Sequence, residues 1–147
     1  IYFSCGASLE NEVLKALEIL NKGSAEFTLM HCISSYPCPI EKANLARLNW
    51  LKSLHHNVGF SDHTQSAMLA GLAIAYGITS IEKHFTIDKT LPGRDNQFAL
   101  DEYEFKLMSN FIHDSILANK DHGKDYLDIE GDTVRNYRGR WEPMDYE

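Results

Sequence analysis

Val58-Gly59-Phe60-Ser61-Asp62-His63-Thr64, then an Ala/Gly-rich segment, then Ile81-Glu82-Lys83-His84-Phe85-Thr86, then Leu91-Pro92-Gly93-Arg94-Asp95: the reading of this stretch decides the fold. Two short apolar runs each end in a histidine, and one helix-length segment joins them. In a parallel sheet such runs lie side by side, roughly 4.8 Å apart, and a divalent ion takes imidazole nitrogens at about 2.1 Å. Histidines at equivalent heights on neighbouring strand ends can therefore share one ion. A single histidine at a strand end is ordinarily a satisfied polar residue. Two of them, one βαβ unit apart and each close to a carboxylate, make a metal pair an equal alternative.

Working outward, the same unit recurs. Ile1-Tyr2-Phe3-Ser4 reads as a strand turned by Cys5-Gly6-Ala7, with Ser8 placed to cap a helix that carries Leu9, Val13, Leu17 and Leu20 and stops at Gly23. Phe27 to Cys32 is a second strand, and Ser34 to Pro39 is a loop because its two prolines suit neither ladder nor helix. A second helix is expected from about Glu41 to Leu54, with Leu45, Leu48 and Leu51 on one stripe. A third, from about Gln65 to Tyr76, is nearly all small or apolar, which predicts burial on more than one side. Thr79 to Phe85 is the fourth strand. A last helix starts at Asp101, paired with Glu104 as a capping box, and turns Leu107, Met108, Phe111 and Ile112 inward. Residues 120–147 show no clear period and form a tail to a domain of residues 1–119.

Four β-α units with no hairpin signal predict an α/β fold with a parallel sheet and helices outside it. A complete (β/α)8 TIM barrel takes about 250 residues, so the chain is expected to be the C-terminal half, four units of eight. An open doubly wound sheet is the competing architecture, weakened by the lack of a Gly-rich nucleotide loop after the first strand. Side chains alternate faces along a strand, so Gly59, Ser61 and His63 share one face, as do Glu82 and His84, while Phe60, Asp62, Ile81 and Lys83 take the other. The first set is expected to point into the barrel and the second toward the helices. On the second strand Cys32 and Ser34 fall inward, leaving His31 with the helix-facing, structural set.

Composition limits the function classes. At 147 residues, 44% hydrophobic and 24% charged, the chain is ordinary globular material. A net charge of −7 excludes nonspecific nucleic-acid binding, which needs a positive surface. No apolar run has membrane-spanning length, so no membrane partner is expected. Cys5, Cys32 and Cys38 are odd in number and lack zinc-site spacing, as reduced thiols of a cytoplasmic protein would. The chain opens on strand-like Ile1 rather than Met and is expected to be a piece of something larger.

These motifs, in this order, resemble the N-acetylneuraminate (sialic acid) synthase family from about Phe3 to Leu117. The resemblance is carried by Ser4-Cys5-Gly6, by His31-Cys32-Ile33-Ser34-Ser35-Tyr36-Pro37-Cys38-Pro39, and by the two histidine motifs with Leu91-Pro92-Gly93-Arg94-Asp95. It implies metal-dependent condensation of phosphoenolpyruvate with N-acetylmannosamine or a related amino sugar, releasing phosphate, in surface polysaccharide biosynthesis. It also implies His63 and His84 as ligands of Mn2+ (or Mg2+ or Co2+), with His63, His84 and Asp95 as the catalytic set. Ser34 and Ser61 would hold phosphoenolpyruvate, Ser4 and Gly6 would line its phosphate site, and Tyr36 and Asp95 would touch the acceptor sugar. Glu82 could orient His84 or its bound water, or be a structural carboxylate.

The departures from the family pattern are Cys5 and Ala7, where Thr and Met are usual, and Arg94, where Pro is common. Arg94 either pairs with an acidic acceptor or faces solvent. The family's first four units, with the lysines that neutralise the phosphate, and its C-terminal antifreeze-like domain have no counterpart here. The chain alone is therefore expected to be inactive or weak, and to form a homodimer or a complex with a missing N-terminal half. The basic, aromatic run Arg135-Asn136-Tyr137-Arg138-Gly139-Arg140-Trp141 either docks on the body or a partner or is solvated. The rivals are another metal-dependent barrel enzyme, such as an aldolase or hydrolase, and a non-catalytic half-barrel binding or assembly module.

Overall fold

A computed structural model describes residues 1–139 of the chain. Four strands, β1 (Tyr2–Ser4), β2 (Thr28–Cys32), β3 (Val58–Asp62) and β4 (Ser80–Lys83), form one sheet in the order β1-β2-β3-β4, every neighbouring pair parallel. Four helices follow them in turn: α1 (Glu10–Leu20), α2 (Arg47–Leu54), α3 (Leu69–Ile74) and α4 (Glu102–Ala118). A short α5 (Gly131–Asn136), preceded by a 3₁₀ turn at Asp128–Glu130, gives the aperiodic tail some local order. Arg138 lies over the Tyr126 ring; Arg140 and Trp141 fall outside the described residues.

The core explains the order. Val13 and Leu17 of α1, Leu48 and Leu51 of α2, and Leu69 and Ala73 of α3 join Leu29, Val58 and Phe60 in one buried cluster. All three helices therefore cover the same face of the sheet. A doubly wound sheet would divide them between two faces, so that alternative is set aside. The smaller cluster of Ala70, Leu100 and Met108, with Ile81 against it, seats α4 beside α3 and β4.

Several element bounds differ from the sequence reading, each for a local reason. Ser8 does not cap α1: its hydroxyl donates to the Gly6 carbonyl, and the Glu12 carboxylate accepts the Leu9 N–H at 2.7 Å instead. Leu9 is exposed rather than part of the core stripe. The second helix starts at Arg47, not Glu41, because Asn44 adopts φ 49° and interrupts the turn begun at Ile40–Lys42. The third is six residues long, since the Ser66 hydroxyl draws the Met68 and Leu69 N–H groups into a turn before it. It is buried on two sides as expected, Leu69 and Ala73 against the sheet and Ala70 and Gly71 against α4, while Leu72 is 55% exposed. Small residues still serve close approach: a Cβ on Gly71 would strike the Phe111 ring of α4.

The Asp101–Glu104 capping box forms as expected, with the Glu104 N–H on Asp101 Oδ1 at 2.8 Å and the Asp101 N–H on Glu104 Oε2 at 3.0 Å. Of the residues expected inward, Met108 is buried, Leu107 and Ile112 are half-buried, and Phe111 is 37% exposed with its ring edge against Gly71. The fourth strand ends at Lys83 rather than Phe85. Beyond it the returning chain takes over, with Leu100 N–H on the His84 carbonyl and Thr86 N–H on the Leu100 carbonyl, both at 2.9 Å.

Candidate active site

The carboxyl ends of the strands gather the side chains with chemistry. On β3, Gly59 and Ser61 face away from the helices, and His63 continues that face just past the strand. On β4, Glu82 does the same and His84 follows. The two imidazoles lie with ring centroids 5.5 Å apart and planes at 65°. Tyr36, from the loop after β2, covers them: its ring centroid is 4.2 Å from that of His63 and 6.0 Å from that of His84. Phe98, on the chain returning past β4, closes the other side of His84 at 5.2 Å and lies 6.2 Å from Tyr36. The sequence reading missed Phe98, which has no motif of its own; only the backbone bonds around Leu100 bring it there.

His63 is held from several directions. Its Nδ1–H donates to the Ile33 carbonyl oxygen at 2.8 Å, which turns Nε2 toward Ser61 Oγ at 3.3 Å. Its own carbonyl accepts the Cys38 N–H at 2.8 Å. Asp95 Oδ2 lies 3.7 Å from His84 Nδ1, and its loop is pinned by Asn96. The Asn96 amide donates to the Leu91 and Pro92 carbonyls while its oxygen accepts the Thr86 hydroxyl. A cavity of about 770 Å³ opens around the β4 edge beside this group, lined by Ser61, His63, Glu82 and His84 and, from the helix side, by Ile81, Lys83, Phe105 and Met108.

A second polar group sits at the ends of β1 and β2. Ser4 Oγ is 3.0 Å from Cys32 Sγ and accepts the Gly6 N–H at 3.4 Å. Any Cβ on Gly6 would collide with Cys32 Sγ and Ser34 Oγ, so glycine is what lets the β1 turn approach the β2 end. Ser4, Gly6 and Ser34 thus form one set, and Tyr36, Ser61, His63, His84 and Asp95 another, all at the same end of the sheet.

Among the described residues no three His, Cys, Asp or Glu side chains gather closely enough to hold an ion. What the chain offers is two imidazoles. An ion about 2.1 Å from a nitrogen of each would place their centroids about 5 Å apart, and the spacing found here fits that. The fit is to an ion with several positions left to water or substrate, rather than to a closed structural site.

On the helix side of the same strands lies an ion pair that the sequence reading did not assemble. Lys83 Nζ reaches Asp62 Oδ2 at 2.8 Å, with the two side chains 2% and 0% exposed, and it also donates to the Thr64 carbonyl. Farther back, His31 is fully buried, with Nε2 on the Ala43 carbonyl at 2.8 Å, its ring stacked on Phe60, and Nδ1 without a partner. Burial lowers its pKa from the ordinary value, as befits a neutral structural imidazole. Burial likewise pushes the Cys5 thiol up to about 11, against the pull of Arg47, and raises that of Cys38. All three cysteines are free and buried. No helix among the described residues is long and apolar enough to cross a membrane.

Comparison with known proteins identifies the family and the fold. The N,N'-diacetyllegionaminic acid synthase of Campylobacter jejuni subsp. jejuni serotype O:2 is 38% identical over 116 residues, which make 76% of this chain and 35% of that enzyme. Pseudaminic acid synthase from the same organism is 35% identical over 135 residues, 90% of this chain and 38% of the enzyme. The crystal structure of N-acetylneuraminic acid (sialic acid) synthetase from Leptospira borgpetersenii serovar Hardjo-bovis, in complex with citrate, superposes with a TM-score of 0.80 at 31% identity. That superposition covers 95% of this chain and 50% of the synthetase. The chain therefore spans little more than a third of the length of the curated relatives named here. The NeuB family model matches residues 1–124, and with these relatives beside it the chain belongs to the NeuB family.

Proposed function

We propose that this chain carries the metal- and acceptor-binding half of a nonulosonic acid synthase, four units of a (β/α)8 barrel. The reaction is condensation of phosphoenolpyruvate with the open-chain form of N-acetylmannosamine or a related amino sugar, in surface polysaccharide biosynthesis in the cytoplasm. The observation that carries this reading is the pair of imidazoles, His63 and His84, on adjacent parallel strand ends with centroids 5.5 Å apart. Helices on a single face of the sheet support the half-barrel. Since a parallel sheet is normally covered on both faces, the working enzyme would complete it with a second half or a second copy.

His63 and His84 would hold Mn2+, or Mg2+ or Co2+ in its place; when bound, such an ion supplies Lewis acidity toward a carbonyl oxygen. The chain's residues do the remainder by position. Ser34 and Ser61, with Ser4 and Gly6 at the adjoining turn, offer hydroxyl and N–H groups to the phosphate and carboxylate of phosphoenolpyruvate. Tyr36 and Asp95 bracket the acceptor, Asp95 accepting from sugar hydroxyls. The methylene carbon of phosphoenolpyruvate bonds to the aldehyde carbon, whose oxygen takes a proton. Water adds at the neighbouring carbon and the C–O bond to phosphate breaks, leaving a 2-keto acid.

The test is calorimetric titration of the full chain with Mn2+. Wild type should bind, and His63→Ala and His84→Ala should each weaken binding at least tenfold; unchanged binding in both variants would favour the non-catalytic module. In the completed enzyme, phosphate release should require both phosphoenolpyruvate and the amino sugar. Turnover without phosphoenolpyruvate would favour an aldolase instead.

A further inference from the structure

We infer that Asp62 and Lys83 are positioning residues for the two imidazoles, a reading that rests on the metal pair proposed above. Each stands immediately before one of the histidines, Asp62 before His63 and Lys83 before His84, and the two are cross-strand partners at the last paired rung of β3 and β4. Beyond that rung no ladder bond holds the strand ends at a fixed separation. Because successive side chains leave a strand on opposite faces, securing residues 62 and 83 on the helix side orients residues 63 and 84 on the opposite face.

The clasp reaches farther than one ion pair. Lys83 Nζ donates both to Asp62 Oδ2, at 2.8 Å, and to the Thr64 carbonyl, so a single ammonium holds the residues on either side of His63. Asp62 closes the ring, its Oδ1 accepting the Thr64 N–H at 2.8 Å. His63 thus projects from a loop of three residues whose flanks are tied to β4, the strand that delivers His84. Asp62 and Thr64 are buried, and the Lys83 side chain is 2% exposed, so water does not compete for these bonds. An ion pair so placed adds little net stability against an apolar pair of similar volume; what it adds is a fixed relation between two strand ends.

The full chain is compared with D62N, K83M and D62L/K83M, the last removing both charges together. Mn2+ affinity is measured well below each Tm, and the ring nitrogens of His63 and His84 are followed without metal by long-range proton–nitrogen correlation. D62L/K83M, which leaves the Thr64 N–H and carbonyl without partners, is expected to lose part of its Tm and, at temperatures where it stays folded, to bind Mn2+ at least tenfold more weakly, with shifted His63 and His84 ring signals. K83M should lose both affinity and Tm, and D62N, which keeps an oxygen for the Thr64 N–H, should lose a few-fold in affinity. Lys52 bonds the His56 and Gly77 carbonyls at the opposite end of the sheet, so K52M should leave affinity unchanged. Wild-type affinity and ring signals in D62L/K83M would overturn the proposal; should that variant not fold, the same result in D62N would do so. If wild type itself binds no Mn2+, the metal reading falls alone, and the metal-free ring signals still decide the positioning role.

Discussion

The carboxyl ends of β3 and β4 each present an imidazole to the same cavity, yet they are built to different standards. β3 is an inner strand, paired on both sides, and every residue from Val58 to Asp62 is buried. Its histidine is 8% exposed and tied through Ile33, Cys38 and the Lys83 clasp. β4 is the edge, with no fully buried residue, and its histidine leaves 30% of its side chain open and has Asp95 at 3.7 Å as its nearest charged partner. One imidazole is held before anything binds. The other sits where a further strand or a second chain would be expected to pack. The lesson is that preorganisation follows strand position: pairing on two sides restricts an end that pairing on one side leaves open.

The largest expected effect contrasts the two strands directly. Phe60→Ala, which empties a buried site on β3, should cost about 3–5 kcal/mol in urea unfolding, whereas Ile81→Ala on β4 should cost about 1–2 kcal/mol, since Ile81 is only half-buried. Equal losses would erase the distinction. The next effect separates a closed imidazole from an open one. Burial lowers the pKa of His31, so the folded state resists a proton that the unfolded chain accepts. That contribution is complete above the unfolded value near 6.5 and is lost as pH falls toward the folded pKa. Stability between pH 7 and 5 should therefore decline with a slope that His31→Leu reduces by up to about 1.4 kcal/mol per pH unit. An unchanged slope in the variant would show that His31 takes up a proton in the folded chain.

The smallest effect tests how α4 is attached beside β4. Met108 is its one buried residue among those described, so its start depends on local capping. Asp101→Ala should cost about 1 kcal/mol and should speed amide exchange in the first turn of α4 without touching β2 or β3. A loss of protection that spread to β3 would mean the two ends unfold together. The Lys89–Glu104 pair at 2.5 Å is about one-third exposed on both partners and should matter less than the cap.

Strand parity carried much of the site in advance. It placed Ser61, His63, Glu82 and His84 on one face and Phe60, Asp62, Ile81 and Lys83 on the other, and the structure has them so. The limits of α2 and α3 were less legible. Asn44 leaves the helical region and Ser66 diverts two N–H groups, and neither choice shows in hydrophobic periodicity. Opposite charges at helix-facing positions of neighbouring strands were the available sign of the Asp62–Lys83 clasp. Their pairing depends on register, which aligns residue 62 with residue 83 rather than with a neighbour of either.

The sequence by itself determined the alternation of strand and helix, the face on which each strand residue lies, and the cap that begins α4. Those properties repeat over two to four residues and are settled by backbone geometry close at hand. Only the tertiary structure decided that α1, α2 and α3 share one face, that Phe98 and Tyr36 close over the imidazoles, and that a single buried ammonium ties the flanks of His63 to the strand bearing His84. Those are contacts between residues distant along the chain, and packing rather than local preference selects them.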